Sequence, residues 1–145
     1  MSEVNKSVLV GHSARQMFAL VDAVEQYPDF LPWCGGAEVS HRDAGKTRAK
    51  IHINYRGIKQ SFTTENLKQE PHAMQMKLVE GPFRTLDGSW QLTDFPGHGC
   101  KIEFRLHYEF SSRLLEKLVG PVFSHIANTL VDSFVRRAEK TYGQP

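Results

Sequence analysis

Cysteine is scarce in this chain: two in 145 residues, Cys34 and Cys100, far apart and in no CxxC pair. Neither a disulfide framework nor zinc-ligand spacing is present, so a reduced, cytoplasmic setting is the expectation. An excess of one charge is also lacking. With 18 lysines and arginines against 16 acids the formal net charge is +2, too small a surplus for a protein whose main work is gripping nucleic-acid backbone, and no DNA partner is expected. No run approaches the ~18 consecutive apolar residues of a spanning helix. The opening MSEVNKSVLVGHS has no charged region followed by a long apolar core, so no leader is expected and any membrane contact is expected to be peripheral.

What is present is an ordinary globular composition, 40% hydrophobic and 23% charged. There is no internal repeat, low-complexity tract or linker, which predicts one domain over residues 1–145, large enough to bury roughly two-thirds of its unfolded surface. Val4 to Val10 reads as a first strand. Ser13 and Gln16 then form an S-x-x-Q capping box that opens a short helix through Met17, Phe18, Leu20 and Val21. Pro28 and Pro32 push Tyr27 and Leu31 toward separate short turns, and Gly35-Gly36 closes that segment.

From Ala37 to Phe110 the signals are strands separated by Asp43-Ala44-Gly45, Arg56-Gly57, Glu70-Pro71, Gly81-Pro82 and Asp94-Phe95-Pro96-Gly97. Ile51, Ile53 and Tyr55 alternate with Lys50, His52 and Asn54; Ile102, Phe104, Leu106, Tyr108 and Phe110 alternate with Lys101, Glu103, Arg105, His107 and Glu109. Such strands have one dry and one wet face, as in an antiparallel sheet covered on one side. The cover is the last element. Pro121 at the first helical position and Gly143 past the end bracket about six turns. Residues Phe123, Ile126, Ala127, Leu130, Val131, Phe134 and Ala138 fall on one arc, opposite His125, Thr129, Asp132, Arg136 and Glu139. The order predicts an α+β helix-grip fold: a curved antiparallel sheet wrapped around a long C-terminal helix, with two short helices after the first strand.

Catalytic chemistry is not legible. His12, His41, His52, His72, His98, His107 and His125 are scattered and read as solvated; there is no HxxxH, HExxH or His-Asp-Ser pattern, and no glycine-rich phosphate cradle. No catalytic residue, metal ligand or cofactor is therefore assigned. Arg137, at the edge of the apolar arc, reads either as a snorkelling side chain or as a buried polar anchor for a ligand carbonyl or hydroxyl. The basic residues of HRDAGKTRAK and VRRAEK alternate with acids and read as solvated faces.

YPDFLPWC, preceded by LVDAVEQ, resembles the signature of the bacterial RatA and mitochondrial coenzyme Q-binding proteins of the START-like superfamily, whose general heading is polyketide cyclase/dehydrase and lipid transport. EGPFRTLDGSW at Glu80–Trp90 and FVRRAEKTYG at Phe134–Gly143 resemble the same family in the same order, so the likeness spans almost the whole chain. The resemblance implies a cavity between sheet and helix for an apolar ligand, with ubiquinone binding and respiratory function in some members. Others bear the name ribosome association toxin, for a block of subunit joining.

On that basis Tyr27, Pro28, Phe30, Leu31, Pro32 and Trp33 are expected to form a rigid apolar lip at the cavity entrance, or else a plug closing the core. Phe83, Trp90, Phe104 and Leu106 from the sheet, and Phe123, Ile126, Leu130 and Arg137 from the helix, complete the expected ligand site. Gly88, between Leu86 and Trp90, marks a bend or a close approach. The expected role is non-enzymatic binding of a polyprenyl quinone, ubiquinone first, by a cytoplasmic protein peripheral at the inner membrane. The rival is a ribosome-binding protein in which Arg42, Lys46, Arg48 and Lys50 meet RNA. A cyclase-like enzyme, the third reading, requires convergent polar groups in the cavity.

Overall fold

A computed structural model describes residues 2–144. Its order is β1 (Ser2–Val10), α1 (Ala14–Asp22), a 3-10 helix (Val24–Asp29), six strands, β2 (Cys34–Arg42), β3 (Lys46–Tyr55), β4 (Ile58–Gln69), β5 (Ala73–Glu80), β6 (Phe83–Phe95) and β7 (Gly99–Phe110), then α2 (Arg113–Tyr142). The strands form one antiparallel sheet in the order β1-β7-β6-β5-β4-β3-β2. Because consecutive strands from β2 to β7 are neighbours, short turns suffice to join them. Arg56 and Gly57, both at positive φ (52° and 80°), make the tight β3–β4 turn.

Register shifts interrupt β2 at Cys34/Gly36 and Val39/His41, β5 at Leu78/Glu80 where it pairs with Thr63 and Thr64 of β4, and β6 at Phe83/Thr85. Such bulges bend a strand and increase its twist, curling the sheet around α2. Gly35 and Gly36 lie within β2 at one of these bulges rather than ending the preceding segment.

The capping box is formed: Gln16 N–H donates to Ser13 Oγ at 3.1 Å and Ser13 N–H to Gln16 Oε1 at 2.9 Å. Asp94 on β6 accepts from the Ala14 amide at 2.8 Å, fastening the start of α1 to the sheet. Tyr27 does not begin a separate turn, because the 3-10 helix runs through Tyr27-Pro28 and the Tyr27 carbonyl accepts from Leu31 N–H at 2.9 Å. The Tyr27 hydroxyl donates to the Val21 carbonyl, and that anchor holds the segment against the bias a following proline imposes.

Helix α2 is longer than its proline predicts. It starts at Arg113, where Ser112 Oγ accepts from Leu115 N–H at 3.2 Å, and Pro121 lies inside it. An interior proline removes the bond to the carbonyl four residues back; burial of Val119 and Val122 on either side offsets that loss. Over 30 residues α2 spans about 45 Å. Phe123, Ile126, Ala127, Val131, Phe134 and Ala138 are buried against the sheet, and Leu130 is half-buried. Gly143 (φ 85°) ends the helix and donates to the Glu139 carbonyl.

Candidate functional site: an apolar cavity under the long helix

The inward faces of β3, β4, β5, β6 and β7, the underside of α2 and the segment after α1 enclose a cavity of about 70 Å³. Tyr27, Trp33, Trp90, Phe104, Leu106, Phe123, Ile126 and Leu130 line it, as do Val24, Ile51, Phe62, Met76, Leu86 and Ala127. Trp90 packs on Phe104 (centroids 4.7 Å apart) and edge-on to Phe134 (5.4 Å), an arrangement that suits ring quadrupoles.

Polar groups in the wall are few. Thr64 and Asn66, alternate residues of β4, are buried and bonded to each other, Thr64 Oγ1 donating to Asn66 Oδ1 at 2.9 Å. Burial drives the Tyr27 phenol well above its ordinary pKa, with Asp22 adding to the effect, so the hydroxyl stays protonated and serves the Val21 carbonyl. The Trp33 indole N–H is buried and has no acceptor among the described residues. An unmet buried donor costs about 1–3 kcal/mol.

Six of the residues expected at the site lie outside the wall. Pro28 and Pro32 face solvent, while Leu31 is buried and Phe30 is half-buried. Phe30 packs against Tyr27 and Phe134 at 6.0 and 5.3 Å. Phe83 stands one layer away, in an aromatic cluster with Phe110 (5.0 Å) and Phe123 (4.9 Å). Arg137 lies over the Phe30 ring with its Nε buried and without an acceptor, so it is neither simply snorkelling nor in the cavity wall. Tyr27 and Trp33 are only 8% and 4% exposed. The YPDFLPW segment thus contributes Tyr27 and Trp33 as buried wall residues and turns its prolines outward, rather than forming an exposed rim.

Gly88 is a point of close approach: a Cβ there would fall 2.5 Å from Met76 Cε and 3.2 Å from Leu106 Cδ1. Its missing side chain makes room for Met76, a cavity-wall residue. Phe62, Thr64, Asn66 and Met76 were missed by sequence reasoning. On β4 the inward row Phe62, Thr64, Asn66, Lys68 is mostly polar, so apolar alternation does not reveal it. A lysine following two polar residues at period two was the available signal. Lys68 ends the row with its Nζ 3.0 Å from Asp22 at the end of α1, and Asp22 also accepts from Thr47 Oγ1 at 2.8 Å.

Among the described residues no group of three or more His, Cys, Asp or Glu is placed to hold a metal ion. His12 corrects the reading of the histidines as solvated: it is 5% exposed, 3.0 Å from the Gly143 carbonyl, because the end of α2 folds over it. His52 lies 2.7 Å from Glu38 and 2.6 Å from Ser61 across three strands. Glu38 is largely exposed, so this cross-strand rung lacks the buried carboxylate that orients the histidine of an activated serine.

A bulged antiparallel sheet gripping one long helix over an apolar cavity defines a START-like, ligand-holding class of domain. The polyketide cyclase/dehydrase and lipid transport family matches residues 10–135, and the chain belongs to it. The ribosome association toxin RatA of Vibrio cholerae serotype O1 is 40% identical over 99% of this chain and 100% of its own. More distantly, the mitochondrial coenzyme Q-binding protein COQ10 homolog B of Xenopus laevis is 26% identical over 98% of this chain and 60% of its own. The Zhui aromatase/cyclase of Streptomyces sp. R1128 superposes with a TM-score of 0.80 over 99% of both chains at 14% identity, a likeness of fold alone. The two sequence relatives bear the names of a toxin and a binding protein, not of enzymes.

Proposed function

We propose that this protein binds a polyprenyl quinone, ubiquinone being the first candidate, between the sheet and α2, and supports its delivery or use without chemistry of its own. The observation that carries this reading is Trp33: a cavity-wall indole whose buried N–H has no acceptor. A quinone carbonyl is an acceptor that brings an apolar body with it, matching both the orphan donor and the dry wall. Thr64 Oγ1 donates to Asn66 Oδ1, and among the described residues the wall holds no carboxylate, histidine or cysteine to serve a cyclase reaction as acid, base or nucleophile, which supports a binding role.

Size adds a condition. Ligand pockets occupy about 300–1,000 Å³, against about 70 Å³ here, so the quinone enters only as the wall opens. The isoprenoid tail would then lie along Phe123, Ile126 and Leu130, and each buried methylene contributes about 0.8 kcal/mol before association costs. The test is gentle purification from the native host, solvent extraction and mass spectrometry, beside Trp33→Phe and Trp33→Ala. Stoichiometric quinone, reduced in Trp33→Phe and lost in Trp33→Ala, is the expected result; wild-type protein with no bound isoprenoid would sink the reading.

A second reading, ribosome association by a cytoplasmic protein, is favoured by the name of the relative at 40% identity. The basic residues expected to serve it divide in two. Arg42 is held by Glu25 at 2.6 Å and Lys46 by Glu65 at 3.6 Å, whereas Arg48 and Lys50 are exposed with no carboxylate within 4.0 Å among the described residues. Co-sedimentation with ribosomal subunits that falls steeply with salt and is weakened by Arg48→Gln/Lys50→Gln supports this reading; salt-independent or absent co-sedimentation removes it.

A further inference from the structure

The outward arc of α2 changes character at Pro121. C-terminal to it the arc is polar, carrying Ser124, Asn128 and Asp132, all exposed. N-terminal to it, Leu114 and Leu118 are one turn apart and 66% and 57% exposed. Helical projection places Lys117 on the same outward arc, about 60° from Leu114, with Arg113 at the edge of that arc and Glu116 on the opposite side. Neither cation has a carboxylate within 4.0 Å among the described residues, unlike Arg42, Lys46 and Lys68.

The surface continues onto the β3–β4 turn. His125, one turn beyond Pro121, stacks on Tyr55 with the rings 6° from parallel, and Arg56 lies over the other partner of that pair, 4.9 Å from the Tyr55 centroid. Arg56 is likewise exposed and without a carboxylate partner. Two protruding leucines, an amphipathic tyrosine and three unneutralised cations thus share one end of the molecule, with no acid on the arc between them. Soluble proteins do not ordinarily project paired leucines from a helix whose remaining outward face is polar.

We propose that the first two turns of α2, with the β3–β4 turn, form a docking surface for an anionic lipid bilayer. The leucines enter the acyl boundary while Arg113, Lys117 and Arg56 meet the headgroups, the division of labour of an interfacial amphipathic helix. The helix docks and does not cross, because its opposite face is the core of the domain. This surface goes beyond the quinone reading and holds whatever the cavity takes.

The test is flotation of the purified full chain with vesicles of phosphatidylcholine alone or mixed with phosphatidylglycerol, without added quinone. Flotation is expected only with the mixed vesicles and to weaken with salt. Leu114→Ser/Leu118→Ser is expected to lower the partition at least about tenfold, and Arg113→Gln and Lys117→Gln about fivefold each. Both leucines are exposed, so circular dichroism should be unchanged. A Leu118→Cys variant carrying an environment-sensitive dye provides a second readout and should blue-shift on mixed vesicles. No flotation of wild type, or wild-type flotation by the leucine variant, overturns the proposal. So does a wild-type dimer that the leucine variant converts to monomer without vesicle binding, since the occupant is then a second copy. Trp33→Phe should float as wild type does, which keeps a failure of the cavity reading separate.

Discussion

The Arg137 guanidinium carbon lies 5.0 Å from the centroid of the Phe30 ring. Phe30 in turn meets Tyr27 and Phe134, so the pair couples the far end of α2 to the segment that walls the cavity. A cation over a ring face at a partly exposed site is worth about 0.5–1 kcal/mol. In a double-mutant cycle of Phe30→Leu and Arg137→Met, urea denaturation should return a coupling energy of that size. Strict additivity would mean the contact contributes nothing.

Gly88 and Met76 are expected to be coupled as well. In Gly88→Ala the new Cβ meets Met76 Cε, the far end of a flexible side chain, and Leu106 Cδ1 close behind. Stability should fall by about 1 kcal/mol as Met76 swings into the cavity. Met76→Ala combined with Gly88→Ala should cost less than the sum of the two alone, and Gly88→Ala should weaken the quinone binding proposed above by narrowing the space.

Lys68 has a side chain 1% exposed, and its Nζ lies 3.0 Å from Asp22, with Glu70 farther away at 3.7 Å. Removing one partner of such a pair leaves a buried charge uncompensated and costs about 3–5 kcal/mol. Asp22→Asn should therefore be strongly destabilising in thermal or urea unfolding. Asp22→Asn/Lys68→Met should recover much of the loss, since no unpaired ion remains.

Glu25 is held below its ordinary pKa by its hydrogen bond from Arg42. A depressed folded-state carboxyl contributes stability above its unfolded pKa, about 4.3, and loses it as pH falls through the lower folded value. The contribution is small, because Glu25 is 43% exposed and screened by solvent. Arg42→Gln should lower stability at pH 7 and flatten the acid limb between roughly pH 4 and the onset of acid unfolding; an unchanged limb would assign that pH dependence to other carboxylates.

Burial pushes the Cys100 thiol up to about 11 and raises Cys34 as well. Thiolate is the reactive form, so at pH 8 neither should react with a thiol reagent in the folded protein. Both should react on unfolding in urea, and native reactivity should rise only as pH nears the raised values.

The strands, turns and helix order were legible because each rests on a local signal. The capping box needs only Ser13 and Gln16, and the inward row of β7 repeats at period two through five apolar residues from Ile102 to Phe110. Pro121 misled because its preference for a first turn is statistical, whereas Ser112 and the burial of Val119 place the start two turns earlier. Half of the cavity wall was also hidden. Thr64 and Asn66 carry no apolar alternation to mark them, and only the packing of the curved sheet over α2 takes them out of water, where Thr64 bonds to Asn66.

By itself the sequence determined the period of each element and the one-sided dryness of the sheet, because propensity, capping and alternation act between near neighbours; the family was legible only as a resemblance, in YPDFLPWC, EGPFRTLDGSW and FVRRAEKTYG. The tertiary structure decided which groups lack partners. Trp33 Nε1, Arg137 Nε, Asp22 with Lys68, and Leu114 with Leu118 acquire their burial, pairing or exposure from elements distant in the chain. Solvent access is a property of the packed surface, and no local pattern encodes it.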